Sequence, residues 1–203
     1  MRTSLTRISS IVTLSLSFIL FSSAEAAIYR VDISPAGTDH AVGLSALNAV
    51  AQPASAATGD VINGGITYDD VTNELNWNFA YGSDFGFVDL VGNFSVAHLH
   101  GPAAVQFPLP NTGAGVLLDL GPSHTPGTTS QTGSFFGSSI LSDTNEANLL
   151  ANLIYINIHS SFEGGGEIRG QLVPSVVPLP AAAWLLAVPL MGMLGFNRNR
   201  VNA

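Results

Sequence analysis

The chain has 203 residues, a formal net charge of −8 and no cysteine, and its six basic residues are all arginine. Lack of cysteine excludes disulfides, zinc–thiolate sites and thiol nucleophiles. An acidic chain without lysine is also unsuited to nucleic acid, whose binding rests on neutralising phosphates with Lys and Arg.

At the N-terminus, Arg2 and Arg7 precede an apolar run from Ile8 to Phe21, and Ala24-Glu25-Ala26 follows. A basic start, a short apolar stretch and small residues at the positions that signal peptidase reads predict a secretory signal peptide over 1–26, cut after Ala26. The exported part, 27–174, is long enough for one domain with a real core. It keeps two arginines, Arg30 and Arg169, against thirteen acids, a formal charge of −11. Such a surface stays soluble outside a cell and attracts cations.

Strand signals then follow one another. Ile28 to Ser34 alternates and stops at Pro35. Val61 to Asp69 and Leu75 to Tyr81 flank a polar turn, and Val91 to His100 ends at Gly101-Pro102. Val116 to Leu120, Gly133 to Phe136, Ile154 to His159 and Glu167 to Val173 complete the series. Gly, Asn, Asp and Pro clusters separate them at hairpin spacing. One helix is expected over Thr144 to Leu153, with Asp143 as N-cap, Glu146 in a capping box, and Leu149, Leu150 and Leu153 facing the core. The predicted class is all-β, an antiparallel β-sandwich or barrel of about seven to nine strands with one short helix.

The C-terminal segment, 175–203, reads as a linker and a sorting tail. Val177-Pro178-Leu179-Pro180-Ala181 leads into an apolar span of about 181–196, then Arg198 and Arg200. The span is shorter than the roughly 20 residues that cross a bilayer comfortably. Pro189, Gly192 and Gly195 weaken it further, and the arginines favour the cytoplasmic side. This tail resembles the PEP-CTERM class of bacterial sorting signals in its VPLPA variant. The resemblance implies transient membrane anchoring and cutting near the motif by an exosortase, a membrane-embedded cysteine protease. Signal peptidase and exosortase are then the partners of export, with the domain left at the cell surface or outside the cell.

Two internal segments carry the most chemistry. One is Ala97-His98-Leu99-His100-Gly101-Pro102-Ala103; the other runs Tyr155-Ile156-Asn157-Ile158-His159, a loop, then Gly166-Glu167-Ile168-Arg169-Gly170-Gln171-Leu172. Together they resemble the CHRD (chordin-type) domain over most of 28–173. Many members carry Glu-x-Pro-Pro near the N-terminus, where this chain has only Gln52-Pro53. The resemblance implies an all-β extracellular module with no settled activity in bacteria.

By side-chain period, Ile154, Ile156 and Ile158 share one face of a strand, and Tyr155, Asn157 and His159 the other. Asn157, His159, Glu167, Arg169 and Gln171 are expected to form one polar network across a hairpin, turned by Gly164 to Gly166. His98 and His100, two apart on a strand, project from one face together with Phe94 and Val96. With His159 they offer three imidazoles to Cu, Zn or Ni. The arrangement is similar to copper–zinc superoxide dismutase, although the downstream ligand run of that enzyme is not visible. The alternative is buried neutral histidines bonded to backbone. His40 and His124 fall in loop-like sequence and are expected to be exposed.

No Gly-x-Ser-x-Gly elbow, calcium-loop pattern or phosphate-cradling glycine loop occurs. The expectation is a non-enzymatic matrix or interaction module, meeting exopolysaccharide or surface proteins, with no cofactor. The alternative is a Cu- or Zn-binding β-sandwich with redox activity. Calcium-dependent adhesion is a further role open to the acidic surface.

Overall fold

The computed structural model describes residues 27–34, 41–106, 111–126 and 130–177. The expected signal peptide, the apolar span, and Pro178, Leu179, Pro180 and Ala181 of the sorting motif lie outside the described residues. Among those described, no helix is long and apolar enough to cross a membrane.

The strands are β1 (Ile28–Ile33), β2 (Leu44–Ser45), β3 (Thr58–Val61), β4 (Ile66–Asp69), β5 (Glu74–Tyr81) and β6 (Phe94–His100). β7 (Val116–Asp119), β8 (His124–Thr125) and β9 (Gly133–Ile140) follow, then helix α1 (Asp143–Leu150), β10 (Tyr155–Ser160) and β11 (Ile168–Val176). Every strand pairing is antiparallel. β5 carries β9 along one edge, with β4 and β3 end to end on the other. β11 carries β10 on one edge, with β2 and β1 on the other. The sheet thus runs from β9 through β5, the β4/β3 and β1/β2 rows, β11, β10 and β6 to β7. It curls around a core that includes Val31, Ile66, Trp77, Phe79, Leu99, Phe135, Ile156 and Leu172.

The all-β architecture with one short helix is as expected, but among the described residues the strands number eleven rather than seven to nine. Two of the additions, β2 and β8, are only two residues long. The third arises because Val61 to Asp69 is not one strand. Asn63, Gly64 and Gly65 take φ of 42°, 97° and 74°. These left-handed values break the segment into β3 and β4.

Four further expectations are corrected. Ser142, not Asp143, caps α1, its Oγ accepting from Asn145 N at 3.3 Å. The helix stops at Leu150, where Asn152 turns left-handed with φ 59°. Only Leu149 of the three leucines is buried; Leu150 is exposed and Leu153 lies between. In β6, a register shift opposite His159 and Ser160 inserts Ser95 as an extra residue. That bulge rotates Phe94 into the core beside Ala97 and Leu99, away from the face of His98 and His100.

Candidate metal centre

β6 lies between β10 and β7, and its register sets the site. His98 stands opposite Asn157, His100 opposite Tyr155, and Val96 opposite His159. The even-numbered residues Val96 to His100 and the odd-numbered Tyr155 to His159 therefore share the face away from the isoleucine core. His98, His100 and His159 are brought together, each offering one ring nitrogen, all within 4.8 Å of one another. His98 Nδ1 is 3.3 Å from His159 Nε2. Ring centroids are separated by 5.3 Å for His98 and His100, 5.2 Å for His98 and His159, and 6.0 Å for His100 and His159.

Two of the three tautomers are fixed by backbone. His100 Nδ1 donates to Ala114 O at 2.9 Å, and His159 Nδ1 donates to Gly164 O at 2.8 Å. A carbonyl only accepts, so each proton sits on Nδ1 and each lone pair on Nε2. His159 Nε2 accepts from Asn157 Nδ2 at 3.2 Å. His100 Nε2 is buried and has no hydrogen-bond partner among the described residues. Burial is the first cause holding both His100 and His159 below the usual histidine pKa. The hydrogen bonds to Ala114 and Gly164 oppose it, and the neighbouring imidazoles reinforce it. Both rings are thus biased toward the neutral form that ligates metal.

Asn157 holds the hairpin turn against the site, its Nδ2 also donating to Gly165 O at 3.1 Å. This needs glycine at 166, where φ is 115° and a Cβ would collide with the Asn157 amide.

The single polar network expected across β10 and β11 does not form; its members divide into separate groups. Asn157 and His159 join the histidine cluster. Glu167 is fully buried but points elsewhere. Its carboxylate accepts from Ser55 Oγ at 2.6 Å, Val91 N at 2.7 Å, Gly92 N at 3.3 Å and Ser160 Oγ. A buried carboxylate needs that many donors, and His159 supplies none of them. Arg169 donates through Nη1 to Thr112 O at 2.8 Å and lies 3.5 Å above the Tyr155 ring. Gln171 donates to Ala103 O at 3.0 Å and to Asn152 O at 2.7 Å, closing the strand end.

His124 is buried rather than exposed. The tight turn Gly121–Ser123 delivers it to β8, beside β9. There its Nε2 meets Tyr81 Oη at 2.8 Å and its ring stacks on Phe94 with centroids 3.8 Å apart. His40 lies outside the described residues. Tyr155 and the segment Asn111 to Gly115 also border the site, Ala114 meeting both His100 and Tyr155. Alternation placed Tyr155 on the histidine face, but no local pattern joins the 111–115 segment to His100.

Residues 41–172 match the family described as the CHRD domain, and the match contains both histidine segments. No curated protein and no solved structure matches the chain.

Proposed function

The chain belongs to the CHRD family, and on that premise we propose that it is an exported, non-enzymatic binding module in which His98, His100 and His159 hold a Cu or Zn ion. Family membership points to an extracellular interaction module. What favours metal is one atom, the buried Nε2 of His100, which lacks a partner among the described residues, in a cluster where His98, His100 and His159 each offer a ring nitrogen within 4.8 Å of the others. A buried nitrogen lone pair without a donor is costly unless something else satisfies it. Three imidazoles suit Zn and Cu, and the Irving–Williams order ranks Cu(II) first among divalent ions.

Metal analysis of the full chain recovered from its own host tests this reading. The expected result is one equivalent of copper or zinc, lost in His98→Ala and His100→Ala. Metal-free protein that also fails to take up either ion in a calorimetric titration would overturn it.

Delivery belongs to the same proposal. The signal peptide over 1–26 exports the domain, and the Val177 to Ala181 motif with its short span holds it until an exosortase cuts. The released domain then works at the cell surface or in an exopolysaccharide matrix. Intact-mass spectrometry of the exported protein should find a species starting near Ala27 and ending near the motif. Full-length protein retaining Arg200 in the inner membrane, in a host with an exosortase, would identify the tail as a plain anchor.

A further inference from the structure

Resting on the reading that the three histidines hold a metal, we infer that Tyr155 and Arg169 are positioning residues for the His100 ligand, acting through the strap 111–115. β10 lies between β6 and β11, so Tyr155 has His100 on one side and the β11 side chains on the other. His100 stacks on the Tyr155 ring with centroids 5.1 Å apart and planes 9° from parallel. The Arg169 guanidinium carbon lies 3.5 Å from the centroid of the same ring. His100, Tyr155 and Arg169 thus form one stack of three planar groups across three strands.

The strap is bound to this stack at successive points. Arg169 Nη1 donates to Thr112 O at 2.8 Å. Ala114 N donates to Tyr155 Oη at 3.0 Å, and Ala114 O accepts from His100 Nδ1 at 2.9 Å. At its ends, Asn111 Nδ2 donates to Asn48 O at 3.0 Å and Gly115 O accepts from Gly101 N at 3.1 Å. The carbonyl that fixes the His100 proton on Nδ1 is therefore placed by the Tyr155 hydroxyl and by Arg169. Fixing that proton leaves the Nε2 lone pair as the ligand, a task outer partners of ligating histidines commonly perform.

Arg169 is 1% exposed, and its acceptors are a backbone carbonyl, the Gln171 side chain and an aromatic face. Burial lowers its pKa to about 10, so it keeps its charge at neutral pH.

The test uses the full chain in two measurements. Nitrogen-15 NMR of the metal-free wild type should show His100 as the Nδ1–H tautomer, with that proton protected from exchange. A wild-type His100 protonated at Nε2 would overturn the inference whether or not metal binds. The second measurement is Zn(II) titration of Tyr155→Phe, which removes the hydroxyl and keeps the ring. Expected are a folded protein, mixed His100 tautomers and a Kd weaker by about tenfold or more. Tyr68→Phe is the control. Tyr68 is buried elsewhere with its hydroxyl on Asn73 Oδ1 at 3.1 Å, so its loss should lower stability yet leave tautomer and Kd unchanged. Equal tautomer and Kd in Tyr155→Phe and wild type, or equal changes in both variants, would sink the inference. A wild type with the Nδ1–H tautomer that takes up no metal would instead remove the metal reading and leave the positioning of His100 intact.

Discussion

The Tyr81 hydroxyl meets His124 Nε2 at 2.8 Å in the interior, with both rings packed against Phe94 and Phe135. Burial is the first cause holding the Tyr81 pKa above its usual range, with the Glu167 charge adding to it. The phenol therefore stays protonated, and its hydroxyl shares one buried hydrogen bond with His124 Nε2. Tyr81→Phe removes that bond while keeping the ring. Loss of about 1–3 kcal/mol of stability is expected. Urea denaturation of the variant against wild type checks it; an unchanged midpoint would show that the bond contributes nothing net.

Gly166→Ala should act twice. The left-handed φ of 115° strains any Cβ, and the added atom meets the Asn157 amide. Destabilisation of about 1–3 kcal/mol is expected from the backbone conformation. Displacing Asn157 also disturbs His159, so metal uptake should weaken in the same variant. Gly164→Ala, where a Cβ meets open space, should leave both properties near wild type. Thermal melts and zinc titrations of the pair distinguish the two positions.

Glu167→Gln keeps the shape but reverses half of the chemistry. All four partners of this carboxylate are donors: Ser55 Oγ, Val91 N, Gly92 N and Ser160 Oγ. An amide NH2 in place of one oxygen faces donors and leaves polar groups unmatched in the interior. A cost of about 1–3 kcal/mol or more is expected, measured by chemical denaturation. Wild-type stability in the glutamine variant would mean that the site accepts a neutral side chain equally well.

The metal-free domain should lose stability on mild acidification. His100 and His159 have folded pKa values below the ordinary 6.5, chiefly through burial. The unfolded chain therefore binds more protons in this range, and stability rises with pH. The contribution is complete above about 6.5 and is lost progressively as pH falls below that value toward the folded pKa values. Urea midpoints across pH 5 to 8 measure it. Replacing His100 and His159 together by Gln should flatten the slope; an equally steep slope would place the titrating groups elsewhere.

Local periodicity carried the reading where both faces of a strand are regular. Ile154, Ile156 and Ile158 alternate in sequence and all three are buried in the core. It failed where one residue breaks the period. Ser95 carries no signal of a bulge, so Phe94 was expected on the wrong face. Partners far apart in sequence were equally hidden. Ser55 is 112 residues from Glu167, and Thr112 is 57 residues from Arg169. Nothing within either segment names the other, because the sheet register brings them together only after folding. Glu167 and Arg169 looked like members of one ladder, yet each is satisfied by a different distant segment.

β1 and β11 pair from Ile33 with Leu172 to Tyr29 with Val176, and Val177 N donates to Ile28 O at 3.0 Å. The chain therefore enters and leaves the domain side by side. A leash on either end pulls from the same corner, so releasing one end does not turn the domain around. Arg169, level with Asn157 and the histidines, lies seven residues back along β11 from Val176. At about 3.3 Å per residue, the centre stands roughly 23 Å along the strand from the attachment point. A domain suspended at Val177 would hold its histidines away from whatever surface the leash is fastened to.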